Sequence, residues 1–428
     1  MTSSHRSEVQ ILLVHQGFPG QFVHLLPRLL ARGDQVAGIG LASNKLAAPL
    51  VKHPGFLWRP YRPDRGNGQG VHPLAVETES KVLRASWVAQ VAEGLRRDGW
   101  CPDLVIGHSG WGELLFLDDV WPNVPQLHYM EFAYGTQGPD SAFDPEDGPR
   151  DDWQSRARSR MKNAAVWLSA EAMHWGVTPT AFQRSAFPFM LQQRISVIHE
   201  GIDCDKAKPD AQAKLNLPNG KQLCAGDPVI TFVNRTYEPY RGIRQFMRAL
   251  PALQERCPKA QVVLIGSDTP KVSYGAHRQD GQGWLSAMRA ELGDELDWSR
   301  IHNLGRVRKG VFLQALQVSA AHVYLTYPFV LSWSLLEAMA CGCLVIGSRT
   351  APVEEVLENG HNGLLVDFFD IEAITNSMVT ALKDPNRLHL LRKEARNTVL
   401  QKFQLEQCQQ KLIQLVDLVA AGTMPTAS

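Results

Sequence analysis

The strongest constraint on this chain is a local unit that occurs twice: an aliphatic strand, a polar turn containing glycine, then an amphipathic helix. Residues 9–14 are short, aliphatic and β-branched, as a buried strand requires. The turn His15-Gln16-Gly17-Phe18-Pro19-Gly20-Gln21 follows, and Phe22, Leu25, Leu26, Leu29 and Leu30 then recur at helical spacing. Gly33 ends that helix and residues 35–39 supply the next strand. The pattern restarts downstream. Residues 229–234 run into Arg235-Thr236-Tyr237-Glu238-Pro239-Tyr240-Arg241-Gly242, and a helix is expected over 243–255 with Ile243, Phe246, Met247 and Leu250 on one face. Strands alternating with helices are the signature of parallel α/β sheets.

Between these units, strands are expected at 103–106, 125–129 and 195–199, and a helix over 155–172. After the restart, strands are expected at 261–265, 301–304, 322–325 and 344–346. The turn-rich residues 138–150 read as a loop. With 428 residues, the chain exceeds one ordinary core and suits two domains. The polar run DKAKPDAQAKLNLPNGKQ suits the boundary between them. The expected division is 1–204 for an N-terminal Rossmann-like domain and 205–400 for a C-terminal one. Residues 401–428 form a tail with a helix packing back on the first domain. Two such sheets facing each other across a cleft would bind ligands beyond the carboxyl ends of their strands.

Composition removes several classes. Lys and Arg number 44 against 43 Asp and Glu, so the chain lacks the basic footprint of a nucleic-acid binder. The seven cysteines are scattered, which speaks against a disulfide framework or zinc site and for a reducing compartment. The run Ile11 to Val14 is too short for a signal-peptide core, and nothing approaches the length of a membrane span. A cytoplasmic protein is expected, with room for weak peripheral contact at the inner face of a membrane. The mixed-charge segment RDDWQSRARSRMK reads as a solvated helix face, with an anionic membrane as its other reading.

Four groups carry chemistry. Gly17 and Gly20 allow either a close approach of backbone amides to a phosphate or simply a tight, packed turn. Arg235 and Arg241 stand at a strand end, where two guanidiniums can clamp a diphosphate; alternatively both are solvated. Ser332 or Ser334 can cap a helix carrying Trp333, Leu335 and Glu337, whose first amides attract phosphate. Glu337 can hydrogen-bond ribose hydroxyls, or it can serve its own helix in a Ser334-x-x-Glu337 capping box. In the first half, Trp111 and Glu113 of Gly110-Trp111-Gly112-Glu113, with His128 and Glu131 of HYMEF, follow strands. There a histidine or carboxylate can orient a hydroxyl nucleophile or take its proton. No P-loop, nucleophile elbow, zincin motif or His/Cys cluster is present. Asp203-Cys204-Asp205 has D-x-D spacing but reads as a turn between domains.

Taken together, FVNRTYEPYRG, QVVLIGSD, IHNLGRV, SLLEAMACGCLVIGS and APVEEVLENGHNGLLV, in that order, resemble the donor domain of the retaining glycosyltransferases of family 4, which have the GT-B fold. HQGFPGQF, GHSGWGE, HYMEFAYG, FDPE and VTPTAFQRSAFP resemble the acceptor domain of one bacterial-type subgroup, and EGID resembles the junction. The resemblance implies transfer of a sugar, with retention, from a UDP- or GDP-linked donor to the hydroxyl of a saccharide or lipid-linked saccharide acceptor. Surface polysaccharide or glycoconjugate synthesis is the expected setting. It further implies no metal and no other cofactor. By position, Arg235 and Arg241 would hold the diphosphate, with Arg241 where lysine is more usual. Amides around Ser332, Trp333, Ser334 and Leu335 would add donors, Glu337 would bind ribose, and Gly305 to Val307 would line the base. Gly17 and Gly20 fall on the donor side, Trp111 and Glu113 on the acceptor side. His128, or its neighbour Glu131, would stand nearest the reacting sugar. One position departs: Phe329 occupies the place of a family glutamate that contacts the donor sugar. An apolar ring there favours a deoxysugar, or else a nucleotide-sugar-binding or scaffold protein that has lost catalysis.

Overall fold

The computed structural model describes residues 9–135, 140, 142–148, 152–275 and 277–426. It divides into two compact units. Unit 1 holds the described residues up to Glu200 together with those from Glu406 onward; unit 2 is Gly201–Leu405.

Unit 1 is built on seven strands: β1 (Gln10–Val14), β2 (Gln35–Leu41), β3 (Phe56–Tyr61), β4 (Leu104–His108), β5 (Gln126–Tyr129), β6 (Trp175–Thr178) and β7 (Ile195–Val197). Their order is β3-β2-β1-β4-β5-β6-β7, with parallel pairing throughout. The alternation of side chains along a strand explains why β1 is apolar at every buried position. Ile11 and Leu13 enter a core with Leu25, Leu26 and Leu29 of helix Leu25–Ala31 and with Leu412, Leu415, Val416 and Val419 of helix Leu405–Ala420. Leu12 and Val14 point the other way, onto Val88, Ala92 and Leu95 of helix Val76–Arg97.

In unit 2 a short antiparallel hairpin, β8 (Lys214–Asn216) and β9 (Gln222–Cys224), precedes β10 (Val229–Thr236), β11 (Gln261–Ser267), β12 (Ile301–Asn303), β13 (Ala321–Tyr324), β14 (Leu344–Ser348) and β15 (Leu364–Val366). The six-stranded sheet is parallel, in the order β12-β11-β10-β13-β14-β15. Phe232 of β10 stacks on Phe246 of helix Ile243–Arg256 at 4.3 Å between ring centroids, joining helix to sheet.

Both sheets reverse their winding once, between β1 and β4 in unit 1 and between β10 and β13 in unit 2. Loops leaving the two strands at such a point diverge to opposite faces and open a crevice at the strand ends. The candidate residues should therefore gather there.

Several elements differ from the sequence expectation. The helix expected over 155–172 is two, Trp153–Lys162 and Ala164–Ala172. Asn163 separates them, with its amide clamped to the backbone of Tyr134 by two 2.8 Å hydrogen bonds. The polar boundary run is not merely a linker, since β8 and β9 pair across an Asn219-Gly220 turn. In the expected loop 138–150, Pro145–Asp147 forms one 3-10 turn; 138, 139, 141, 149 and 150 lie outside the described residues. Strands β3, β6 and β15 were not among the expected ones; β3 carries Pro60, whose missing N–H costs little at a sheet edge. Among the described residues, no helix is long and apolar enough to cross a membrane.

Candidate functional site

At the reversal point of unit 1, the last residue of β4 and the first residue after β1 are both histidines. Val14 pairs with Gly107, so His15 and His108 emerge side by side, their rings edge to face at 5.7 Å. Each ring is fixed through Nδ1, which accepts the backbone N–H two residues on: Gly17 for His15 and Gly110 for His108, both at 3.0 Å. With Nδ1 accepting, each Nε2 is the nitrogen that carries a proton to donate. His15 Nε2 donates to Gln21 Oε1 at 2.6 Å, and Gln21 Nε2 donates to Glu131 Oε1 at 2.9 Å. His108 Nε2 lies 3.4 Å from Glu131 Oε2, a close polar contact rather than an aligned hydrogen bond.

Burial and the neighbouring His108 drive the pKa of His15 down to about 4, so it is neutral at physiological pH. Burial works against the charge of Glu131, but the His108 and His15 imidazoles and the Gln21 amide outweigh it and hold the carboxyl below the usual range. The product is an ionised carboxylate positioned by two imidazoles and an amide. Trp111 stands beside it, 36% exposed, with its ring 5.3 Å from that of His108.

Three sequence expectations change here. His128 is not part of this group. Its side chain is fully buried, with Nε2 3.0 Å from Gln126 Oε1, and desolvation lowers its pKa to about 3. Residues one apart on a strand face opposite sides of the sheet, so Tyr129 reaches the His108 ring and His128 does not. Gly17 and Gly20 build the seat of His15, which fits the packed-turn alternative for these glycines. The Gly17 amide is already bound to His15, and a Cβ on Gly20, at φ +53°, would lie 2.2 Å from His15 Cε1. Glu113 is enclosed, accepts a hydrogen bond from Tyr61 at 2.9 Å, and has its pKa raised by burial.

At the reversal point of unit 2, Arg235 is exposed near the end of β10. Arg241 is buried one short turn later, on the 3-10 turn Pro239–Arg241. Gly242 ends that turn at φ +71°, with Leu325 so close that a Cβ would meet it at 2.5 Å. Arg241 Nη1 donates to Thr326 Oγ1 at 2.8 Å and to the Tyr324 hydroxyl at 3.2 Å. The same hydroxyl accepts the backbone N–H of Ser332 at 2.8 Å. Ser332 is the N-cap of helix Trp333–Ala340, and its hydroxyl accepts the N–H of Ser334. Arg241 and the start of this helix are thus joined through one oxygen.

Glu337 sits one turn inside that helix, buried, and burial raises its pKa against the opposing charge of Lys309, with which it is paired. The capping-box alternative is not adopted, because the cap is Ser332 and the carboxylate goes to Lys309. Gly305 donates its N–H to Asn303 at 3.0 Å, and Val307 packs against the core behind the loop. Trp333 is partly buried, while Ser334 and Leu335 are buried. Phe329 is only 1% exposed. Tyr240, Tyr274 and the Arg241 guanidinium cover it, so it offers no apolar face to a sugar and the reason for expecting a deoxysugar falls away.

Sequence reasoning passed over His108, Gln21, Tyr324, Thr326 and Lys309. His108 was visible within GHSGWGE, at a strand end. Tyr324 and Gln21 had no signal of their own, since their roles come from what they touch. Among the described residues no cluster of His, Cys, Asp and Glu could hold a metal ion.

Comparison with known proteins agrees with this architecture. Residues 35–207 match the glycosyl transferase family 4 group, and residues 227–384 match the glycosyl transferases group 1. A GDP-mannose-dependent α-(1-6)-phosphatidylinositol monomannoside mannosyltransferase of Mycolicibacterium smegmatis is 26% identical over 48% of this chain and 51% of its own length. A D-inositol 3-phosphate glycosyltransferase of Rhodococcus jostii is 26% identical over 47% of this chain and 42% of its own. The chain spans about half the length of the curated relatives it matches. In structure it is similar to sucrose-phosphate synthase of Thermosynechococcus elongatus (TM-score 0.71, 19% identity, 97% of this chain and 100% of that one). It is likewise similar to Anabaena HepE in complex with UDP and glucose (TM-score 0.66, 16% identity, 96% and 100%). Two parallel α/β units, each matched by a glycosyltransferase family, identify the chain as a family 4-type glycosyltransferase with the GT-B fold.

Proposed function

We propose that the protein transfers a sugar from a nucleoside diphosphate donor to an acceptor hydroxyl with retention of configuration. Unit 2 holds the donor. The observation that carries this reading is the Tyr324 hydroxyl, which joins Arg241 to the N-terminus of the Ser332 helix at the reversal point of the sheet. Cleaving a glycosyl–phosphate bond builds negative charge on the departing diphosphate. A guanidinium and the amides of a helix start are fixed dipoles aimed at that charge. Arg235, exposed at the same strand end, supplies a second guanidinium. Glu337 takes the ribose hydroxyls by exchanging its partner Lys309 for them. This arrangement neutralises the leaving group without a divalent cation.

Unit 1 receives the acceptor. Trp111 offers a partly exposed aromatic face on which a saccharide ring stacks. The Glu131 carboxylate, kept ionised by His15, His108 and Gln21, takes the proton of the acceptor hydroxyl. The part first given to His128 passes to His108. A saccharide or lipid-linked saccharide acceptor, as in polysaccharide or glycoconjugate synthesis, fits this half; the likeness to a phosphatidylinositol monomannoside mannosyltransferase supports that class.

The test is turnover of a panel of UDP- and GDP-sugars by the full chain, with Arg235→Ala and Glu337→Ala as controls. Donor-dependent transfer that is lost in both variants is expected. Undiminished transfer in both would defeat the donor-site assignment. Tight nucleotide-sugar binding with no transfer or hydrolysis of any donor would favour a binding protein instead.

A further inference from the structure

Unit 2 carries a feature that the donor reading leaves unused. Residues 268–275 leave β11, and two carboxylates tie this stretch to its surroundings. At one end Asp268 accepts the N–H groups of Leu285 and Ser286 at 2.9 and 3.0 Å, capping helix Trp284–Leu292. Within the stretch, Glu238 Oε2 accepts the N–H of Ser273 at 2.8 Å, the N–H of Tyr274 at 3.0 Å and the Thr236 hydroxyl at 3.0 Å. Glu238 is 2% exposed and lies three residues before Arg241. A buried carboxylate that satisfies three donors with one oxygen fixes the backbone at Tyr274 firmly.

The fixed backbone puts the Tyr274 ring on the site. Its centroid is 4.7 Å from that of Phe329, edge to face, and the Arg241 guanidinium carbon is 5.7 Å from it. Phe329 is enclosed whereas Tyr274 is half-buried, so Tyr274 is the outer layer of this aromatic wall. A phosphate oxygen bound to Arg241 would lie about 2.8 Å from a guanidinium nitrogen. A sugar joined to that phosphate on the Phe329 side would come against the neighbouring Tyr274 ring.

Building on the proposed donor site, we infer that Tyr274 is a specificity-determining residue, whose ring face stacks on the C–H face of the donor sugar, with Glu238 as the positioning residue that holds it there. Aromatic faces read the shape of a pyranose, rewarding a flat run of axial C–H bonds and penalising an axial hydroxyl that breaks it.

The experiment is calorimetry on the full chain with UDP and GDP, then with UDP-glucose and GDP-mannose, for wild type, Tyr274→Phe and Tyr274→Leu. With Tyr274→Leu, affinity for the free diphosphate stays within about twofold while affinity for the nucleotide sugar falls about tenfold, the scale of one lost ring contact. Tyr274→Phe keeps the ring and stays close to wild type for both ligands. Equal weakening of diphosphate and nucleotide sugar in Tyr274→Leu would overturn the inference, because Tyr274 would then act only through Arg241. So would an unchanged nucleotide-sugar affinity, or a Tyr274→Phe loss as large as that of Tyr274→Leu. Wild type binding neither diphosphate would overturn the donor site itself and this inference with it. Diphosphate binding without a sugar-specific effect would overturn this inference alone.

Discussion

Arg241 and Ser332 donate to the same oxygen, the hydroxyl of Tyr324, at 3.2 and 2.8 Å. One residue follows β10 and the other follows β13, so a side chain on the second strand draws together two loops that the topology sends apart. A guanidinium and a helix N-terminus share one acceptor and become a single electropositive site.

Tyr324→Phe removes that acceptor and leaves the ring. Arg241 keeps Thr326, but the Ser332 amide loses its partner. Loss of a hydrogen bond to a charged group costs about 1.5–3 kcal/mol. Nucleoside diphosphate affinity should fall tenfold or more by calorimetry, beyond the modest fall in melting temperature that the unpaired Ser332 N–H brings. Unchanged affinity would show that the shared hydroxyl does not organise the site.

Arg235→Ala tests the diphosphate directly, because Arg235 is exposed and its loss leaves no cavity. Removal of one charge-stabilising donor typically costs on the order of 3 kcal/mol, so kcat/KM should drop by roughly two orders of magnitude with no loss of stability. Wild-type turnover should survive chelation by EDTA. Inhibition that magnesium reverses would place a cation where the guanidiniums are proposed to act.

Gly20→Ala strains the other unit. A Cβ would collide with His15 Cε1 at 2.2 Å, and φ +53° disfavours any side chain. The ring must move, breaking its 2.6 Å bond to Gln21 and releasing Glu131. The expected outcome is about 1–3 kcal/mol of destabilisation by chemical denaturation, with transfer lost beyond what stability explains. Normal activity would show that the His15–Gln21–Glu131 chain is dispensable.

Buried neutral histidines give stability a pH dependence of known sign. The pKa falls from 6.5 to about 3 for His128 and to about 4 for His15, with burial as the main cause in both. Between those values and 6.5 the unfolded chain binds more protons than the folded one. The contribution is therefore complete above pH 6.5 and is lost as pH falls through the folded values. In His128→Gln, the decline in melting temperature from pH 7 to pH 4.5 should be shallower than in wild type. An equally steep decline would mean His128 is not neutral in the folded protein.

Much of this was legible in the residues themselves. The apolar run before His15, the helical spacing of Leu25, Leu26, Leu29 and Leu30, and their second occurrence around Phe232 and Phe246 dictate two parallel α/β units, because local periodicity records which face of an element is buried. Arg235, Arg241 and Ser332 could be placed beyond strand ends for a related reason, because the sequence marks strand ends with polar turns. What lay beyond it were relationships between segments far apart in the chain. Nothing near residue 128 says that β5 turns His128 inward while β4 delivers His108 to His15. The enclosure of Phe329 by Tyr240 and Tyr274, and the meeting of Arg241 with Ser332 on Tyr324, were decided by strand order and register. Those depend on the packing of the whole unit, and packing is a property of all the side chains at once.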